Sequence, residues 1–243
     1  MHWPQVEMLR RWVADGELGS IQSITASAGW PRGDQYYSRV PWAARMEMAG
    51  SLVYDGPATN ALSHLLNNIC FFMGQENQFA RPSAVSGWLA RARSIESYDT
   101  FFSECQIGGA DVRVFLTHAV SERVPFEIRV TGERATAWIC ETQPVLRRSD
   151  LEEVELPPLT AVKFPMYRRM VGAEGDFDGM PGTLEDMRGY TEWTEKMRLA
   201  GPVREIDPSL CFKNEEGVIA MRGMEAILHE FAKSGREVPI FGT

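Results

Sequence analysis

Apolar residues recur at helical spacing in three segments of the chain. The stripes cover residues 3–15, 60–73 and 215–234, and a glycine follows each of them. Apolar positions three and four residues apart share one face of a helix, and glycine commonly terminates helices. The pattern therefore predicts three amphipathic helices, the second of which is apolar enough to be buried.

Strand patterns occupy much of the remaining sequence. Residues 21–29 predict one strand, which leads into a polar loop at residues 31–41. After the second helix, strands are predicted at residues 85–91, 100–107, 112–120, 126–131 and 135–141, with weaker ones near Val145 and Val154. The connectors at residues 108–109, 123–125 and 132–133 are short enough for hairpins, so successive strands are expected to pair antiparallel.

One segment breaks this regularity. Residues 163–208 mix glycine, proline, methionine and charged residues, and only residues 184–199 within them are compatible with a helix. We expect an irregular insertion or contact arm there. The order of the other elements predicts a single α+β domain over residues 1–243, in which helices back one sheet.

Composition and charge narrow the possible partners. The 243 residues are 44% hydrophobic and 24% charged, which is typical of a packed globule. The formal net charge of −8 argues against nucleic acid, because such binding depends on clustered cations that neutralise phosphates. No apolar stretch is long enough for a membrane span or a signal peptide, and the four cysteines are isolated from one another. We therefore expect a soluble, cytoplasmic protein without a membrane or nucleic-acid partner.

Several motifs of catalysis and cofactor binding are missing. The dinucleotide turn GxGxxG does not occur, and neither does GxSxG or HExxH. The glycines of residues 172–182 are loosely spaced with acidic residues between them, and no glutamate completes a calcium loop there. The sequence thus predicts no metal site and no dinucleotide site.

The loop after the first predicted strand carries the first candidate site. Its residues Arg32, Tyr37, Arg39 and Trp42 bring guanidinium groups, a phenol and an indole close together. Arginine and tyrosine can bind hydroxyls or carboxylates of a polar ligand, and an indole face can stack on a sugar ring. The alternative is that the aromatic residues only anchor the loop to the core.

The second candidate is the pair Asn60 and His64. These residues are four apart and would share one face of the predicted helix. An imidazole exchanges protons near neutral pH, and a carboxamide can orient a hydroxyl group. The alternative for His64 is a hydrogen-bonded position in the core.

Together these segments resemble the Gfo/Idh/MocA oxidoreductases. The resemblance rests on LGSIQSI, GWPR, YYSR, DGPATNALSH and LLNNICFFMG in this order, and it covers roughly residues 5–140. In that family the helix usually begins with an Asp-x-Gly-x-His pattern, whose Asp and His face the substrate and the nicotinamide. His64 fits this histidine and Asn60 replaces the aspartate, while Tyr98 and His118 fit the family's sheet as further candidates for the substrate pocket.

The resemblance implies the C-terminal, substrate-side domain of such an enzyme, with an open, mostly antiparallel sheet and helices on one face. It implies an NAD or NADP cofactor held by an N-terminal Rossmann domain, which we expect to be absent from this chain together with the family's catalytic lysine. It also implies a homo-oligomer that forms through the sheet face.

The expected activity, once a nucleotide-binding domain completes the enzyme, is hydride exchange with a secondary alcohol of a sugar, polyol or related small molecule. His64 is then expected to transfer the proton or orient the substrate, with Asn60 beside it. The alternative is a non-catalytic carbohydrate-binding or oligomerisation module derived from the same family.

Overall fold

A computed structural model describes residues 4–75, 79–140, 143–150, 188–213, 215 and 219–221 of the chain. Its helices are α1 (Pro4–Ala14), α2 (Asp34–Ser38), α3 (Ser63–Phe72) and α4 (Arg188–Leu199), with a 3-10 turn at Pro208–Leu210. Its strands are β1 (Ile21–Gly29), β2 (Glu47–Met48), β3 (Ser51–Leu52), β4 (Ser83–Arg91), β5 (Thr100–Ile107), β6 (Ala110–Thr117), β7 (Val124–Gly132), β8 (Thr136–Cys140), β9 (Gln143–Arg148), β10 (Arg204–Glu205), β11 (Cys211–Lys213) and β12 (Ile219–Met221).

Eight of these strands form one sheet, in the order β10-β4-β5-β6-β1-β7-β8-β9. The first strand of the chain, β1, lies near the middle, parallel to β6 and antiparallel to β7. The short β10 is parallel to β4, and the other neighbours in this sheet are antiparallel. The predicted α+β fold with a mostly antiparallel sheet is therefore confirmed.

The main core lies between one face of the sheet and the helices α1, α3 and α4. Alternate residues of the strands point into it, as β1 shows with Ile24, Ala26 and Ala28 buried between half-exposed serines and threonines. The helix face is supplied by residues such as Leu9 and Leu66. Helix α1 stops at Gly16, whose φ of +66° is the left-handed conformation that glycine adopts without strain.

The pairing of β1 corrects one expectation about connectivity. The connector at residues 123–125 was predicted to close a hairpin between the strands now seen as β6 and β7. These two strands do not pair with each other, because β1 lies between them and uses the inner edge of both. Hairpins do join β5 to β6 and β7 to β8, as predicted.

Helix α4 lies within residues 184–199, where the sequence predicts the one helix of the irregular segment. It belongs to the segment predicted as an insertion at residues 163–208, yet its Trp193 is fully buried in the main core. The Trp193 indole nitrogen donates a 2.8 Å hydrogen bond to Ser103 Oγ on β5. Residues 188–199 are therefore part of the globular domain, and residues 163–187 lie outside the described part of the chain.

The third predicted helix, at residues 215–234, is wrong where the structure describes it. Residues Ile219–Met221 form strand β12, which pairs antiparallel with Cys211–Lys213. Pairing with a strand nearby in sequence satisfies the backbone there in place of helical hydrogen bonds. The remaining residues from 222 onward, including His229, lie outside the described part, as does the weak strand expected near Val154.

The second face of the sheet is polar at its centre. On β1 its outward residues are Ser23, Thr25 and Ser27, and on β6 and β5 the side chains of Arg113 and Glu104 form a 3.0 Å ion pair. A smaller apolar cluster covers one end of this face, where Ile206 packs with Trp88 and Phe102. The homo-oligomer expected through the sheet face stays a prediction.

Within the described ranges, no helix is long and apolar enough to cross a membrane. The same residues contain no group of histidine, cysteine and acidic side chains that could hold a metal ion. Cys70 and Cys105 are buried free thiols.

Replacing Trp193 with alanine should lower the free energy of unfolding by about 3–5 kcal/mol, because the large buried ring and its hydrogen bond to Ser103 are both lost. Urea unfolding followed by circular dichroism measures the change. The matched control is Leu199→Ala at the end of the same helix, which is 67% exposed and should change stability by less than about 0.5 kcal/mol. Equal effects of the two substitutions would mean that α4 does not belong to the cooperative core.

Candidate functional site

The site lies at the edge of the sheet where β1 and β6 end. Because these strands are parallel, with Gly29 opposite Thr117, the chain leaves both at the same edge. The Trp30 backbone N–H extends the ladder by donating to the Thr117 carbonyl at 2.9 Å. The aromatic loop that follows β1 is thereby placed next to His118, although 88 positions separate Trp30 from His118 in the sequence.

Tyr36 is the centre of the arginine and aromatic loop. Its ring is stacked by two guanidinium groups, that of Arg39 at 3.6 Å and that of Arg32 at 4.7 Å from the ring centre. Arg39 also lies over the Trp42 ring at 5.1 Å. Arginine planes on aromatic rings hold the loop in one arrangement and keep the charged edges available for other contacts. A short helix, α2, carries Tyr36 and Tyr37 and lies inside the segment predicted as a loop without regular structure.

Asn60 is held in a fixed orientation by its side-chain nitrogen. Its Nδ2 donates to Asp55 Oδ1 at 2.9 Å and to the Tyr36 hydroxyl at 3.3 Å. A carboxylate only accepts hydrogen bonds, so the atom facing Asp55 must be the nitrogen and not the carbonyl oxygen. The other carboxylate oxygen of Asp55 accepts from the Ala44 backbone at 2.8 Å and lies 3.9 Å from the Arg39 guanidinium.

Two residues of this network hold a strained backbone. Ala44 and Tyr54 have φ angles of +61° and +53°, although neither is a glycine. Ala44 donates to Asp55, and Tyr54 directly precedes it. Left-handed backbone at such residues costs on the order of 1 kcal/mol each and recurs at functional sites. The strain therefore marks the Asp55 network as a place where geometry is enforced by its surroundings.

The start of α3 differs from the sequence expectation. The helix begins at Ser63, so Asn60 lies in the preceding turn and not on the first helical turn. In this turn Leu62 N donates to the Pro57 carbonyl at 2.8 Å. The two residues are five positions apart, whereas hydrogen bonds of an α-helix join residues four positions apart. The shared helix face expected for Asn60 and His64 is therefore not produced by regular helix geometry.

His64 is exposed in the first turn of α3 and makes no hydrogen bond with the described residues. Partial loss of water around the ring lowers the pKa of His64 below its ordinary value of 6.5. At neutral pH the imidazole is thus uncharged and able to accept a proton. The alternative of a hydrogen-bonded core position does not apply to this residue.

Tyr37 and His118 form a second pair beside the loop. The Tyr37 hydroxyl lies 3.3 Å from His118 Nδ1, and the Arg93 guanidinium lies over the Tyr37 ring at 4.6 Å. His118 is 2% exposed. Burial lowers the pKa of His118 to about 3, with further lowering by Arg32 and two neighbouring arginines. The His118 imidazole is therefore neutral throughout the physiological range.

Tyr98 belongs to the core and does not face the loop surface. It is 1% exposed, and its hydroxyl is 3.1 Å from Thr59 Oγ1. Its ring packs on Gly56 so closely that a Cβ added there would lie 2.2 Å from the ring. In this structure Tyr98 is a packing residue that supports the turn leading to Asn60, and the expectation that it lines a pocket is not met.

Sequence reasoning missed several charged residues that assemble the site. Arg93 is 8% exposed, donates to the Arg32 carbonyl at 3.0 Å and forms an ion pair with Asp34. Asp99 accepts from the backbone of Ala92 and Arg93, and burial raises its pKa to about 6. No sequence signal pairs Arg93 with Asp34 or Arg32, because these residues lie 59 and 61 positions apart in the chain.

An open cavity of about 510 Å³ adjoins the loop. It is lined by Tyr37, Arg93 and a set of ion-paired residues, namely Asp34, Arg45, Glu96 and Lys213. The aromatic loop thus forms one wall of a polar cleft. The described residues contain no GxGxxG turn between a strand and a helix.

Comparison with known proteins agrees with this geometry. The sequence model of the GFO/IDH/MocA C-terminal domain matches residues 6–138. No functionally curated protein matches the chain.

Solved structures share the fold at low sequence identity. The WlbA dehydrogenase from Bordetella pertussis, in complex with NADH and UDP-GlcNAcA, is 18% identical with a TM-score of 0.60, over 81% of this chain and 58% of that chain. An oxidoreductase from Thermotoga maritima is 14% identical with a TM-score of 0.60, over 82% and 58%. Levoglucosan dehydrogenase, in complex with NADH and levoglucosan, is 15% identical with a TM-score of 0.57, over 80% and 62%.

The match therefore spans less than two thirds of each of these solved chains. Because the family model covers more than half of the sequence and the described fold agrees with it, the chain belongs to the Gfo/Idh/MocA oxidoreductase family through its C-terminal domain.

Proposed function

We propose that this chain forms the substrate-side domain of an NAD(P)-dependent dehydrogenase that acts on a secondary alcohol of a sugar, polyol or related small molecule. Family membership supports the reaction class. Relatives of the same fold are dehydrogenases whose structures contain NADH together with UDP-GlcNAcA or levoglucosan. A nucleotide-binding domain with its own glycine-rich turn would supply the nicotinamide, which accepts or donates the hydride.

The orientation of Asn60 is the observation that carries this proposal. Asp55 and Tyr36 occupy the amide nitrogen, and the side-chain oxygen Oδ1 of Asn60 accepts no hydrogen bond from the described residues. An acceptor held in place in the turn before α3 can accept a hydrogen bond from a substrate hydroxyl. The substrate carbon is then fixed in one orientation, which is the main contribution that a protein makes to hydride transfer.

His64 supplies the proton chemistry in this mechanism. Oxidation of an alcohol to a ketone releases the hydroxyl proton, and a neutral imidazole is a suitable acceptor. His64 is exposed in the same segment as Asn60 and is neutral at pH 7 because its pKa is lowered. Tyr36, with Arg32 and Arg39 stacked on its ring, forms the wall against which the rest of the substrate packs.

Replacing His64 with alanine should lower kcat/KM of the enzyme that carries both domains by about 10²–10⁴-fold, the usual contribution of a general base. In the native enzyme the neutral form of the His64 imidazole persists below pH 6.5, because its pKa is lowered. The fall of kcat/KM for oxidation at acid pH should therefore begin below pH 6.5, and this fall should be absent in the variant. Initial rates of NAD(P)+ reduction across pH measure both. Gln75→Ala, beyond the end of α3, is the control; an unchanged rate in His64→Ala would favour a non-catalytic module.

Replacing Asp55 with asparagine tests the orientation of Asn60. The new amide can still accept from Ala44 through its oxygen, but it presents N–H groups to Asn60, whose carboxamide should invert. We expect kcat/KM to fall by about 10–100-fold with little change in the thermal midpoint. Asp111→Asn, the same chemical change on the exposed face of β6, should leave both quantities unchanged. A loss of stability that accounts for the whole loss of activity would contradict the positioning role.

A further inference from the structure

Three buried nitrogen atoms at the edge of the sheet have no hydrogen-bond partner among the described residues. They are Trp30 Nε1, Arg32 Nε and His118 Nε2. Burying an N–H group without a partner costs about 1–3 kcal/mol, and groups of this kind are uncommon in native structures. Such a cluster indicates that another molecule supplies the missing acceptors.

The three nitrogens belong to one place in the fold. Trp30 and His118 directly follow the parallel strands β1 and β6, and the Trp30 backbone bonds to Thr117, the residue before His118. The Arg32 guanidinium lies 5.6 Å from the Trp30 ring, and it stacks on Tyr36, whose ring is 5.5 Å from the His118 ring. Tyr36 thus links the arginine to the histidine.

All three nitrogens carry hydrogen. The indole and guanidinium nitrogens are donors in every state. For His118 the hydrogen is placed by Tyr37, whose hydroxyl has no other partner among the described residues and can satisfy its own proton only by donating to Nδ1. Burial raises the pKa of Tyr37 above its ordinary value, so that hydroxyl stays protonated. The remaining proton of the neutral imidazole is then on Nε2.

Arg32 is also the arginine of this group without a carboxylate. Arg39 pairs with Asp55, and Arg93 pairs with Asp34. In the part of the chain that the structure describes, Arg32 forms no ion pair, and its guanidinium donates to the Pro31 carbonyl at 3.5 Å. A partly buried guanidinium without a counter-charge is unusual in a chain whose net charge is −8.

We infer that Trp30, Arg32 and His118 form a subsite for a carboxylate group of the substrate. This inference rests on the proposed function and narrows the substrate to an acidic sugar or a related hydroxy acid. A carboxylate accepts only, offers two oxygens to several donors and supplies the charge that Arg32 lacks. A neutral hydroxyl would satisfy fewer of the three donors and would leave the guanidinium uncompensated.

The test is a titration of the 243-residue chain, without nicotinamide, with D-glucuronate, D-glucose, D-glucose 6-phosphate and acetate at constant ionic strength. Proton–nitrogen NMR follows the indole N–H resonance of Trp30, which Trp30→Phe identifies by its disappearance. Glucuronate and acetate should shift this resonance, and glucuronate should bind about tenfold more tightly than glucose, as expected for a charge-assisted hydrogen bond.

Two variants separate the subsite from a general charge effect. Arg32→Gln should remove the preference for glucuronate over glucose, while Arg113→Gln, with the same charge change on the polar face of the sheet, should keep it. Thermal midpoints of both variants establish that they are folded. Equal losses in the two variants would overturn the inference.

The other outcomes are equally decisive. No shift with either glucuronate or acetate would overturn the subsite and mean that water alone occupies the three donors, and binding of the phosphate ester alone would overturn the assignment to a carboxylate. Turnover of a neutral sugar by the two-domain enzyme, without carboxylate binding, would remove this inference and leave the proposed function standing. Carboxylate binding without turnover of any alcohol would support the subsite and contradict the proposed function.

Discussion

The parallel pairing of β1 with β6 is the contact on which the rest of the site depends. It places the first strand of the chain between β6 and β7, which lie about 90 or more residues further along the sequence. Both edges of β1 are therefore hydrogen-bonded. A strand held on both sides has a fixed end, and the chain leaves it beside the end of β6. Trp30 and His118 become neighbours for that reason alone.

The residues around this edge share one electrostatic arrangement. Arg39 and Arg93 are held by acidic partners, Asp55 and Asp34, while Tyr36 and Tyr37 provide aromatic faces for the guanidinium groups. Buried charges are tolerated only when they are paired or hydrogen-bonded, so these contacts remove most of the freedom of the loop. Polar atoms that still lack a hydrogen bond are then informative, because the charged groups around them already have partners. The side-chain carbonyl of Asn60 and the three nitrogens, all without a partner among the described residues, are the features from which a ligand can be inferred.

The regular elements were largely predictable from local pattern. Strand β5 has the bounds that alternation predicts, and α1 ends before the glycine that its sequence places there. These elements follow from side-chain periodicity and backbone preferences, which act over a few residues. The errors arose where a distant strand decided the outcome. Residues 123–125 have the length of a hairpin connector, but the strand that pairs with β7 is β1. Trp193 belongs to an irregular stretch of sequence, but its contact with β5 places it in the core.

For the site, the sequence determined which chemical groups are present and identified the two segments that carry them, the loop after β1 and the turn that leads into α3. Only the tertiary structure decided which of those groups meet: Asn60 with Asp55 and Tyr36, Tyr37 with His118, and Tyr98 with the core. The physical reason is that hydrogen-bonding capacity belongs to each residue, whereas burial and pairing depend on contacts between segments that only the sheet brings together.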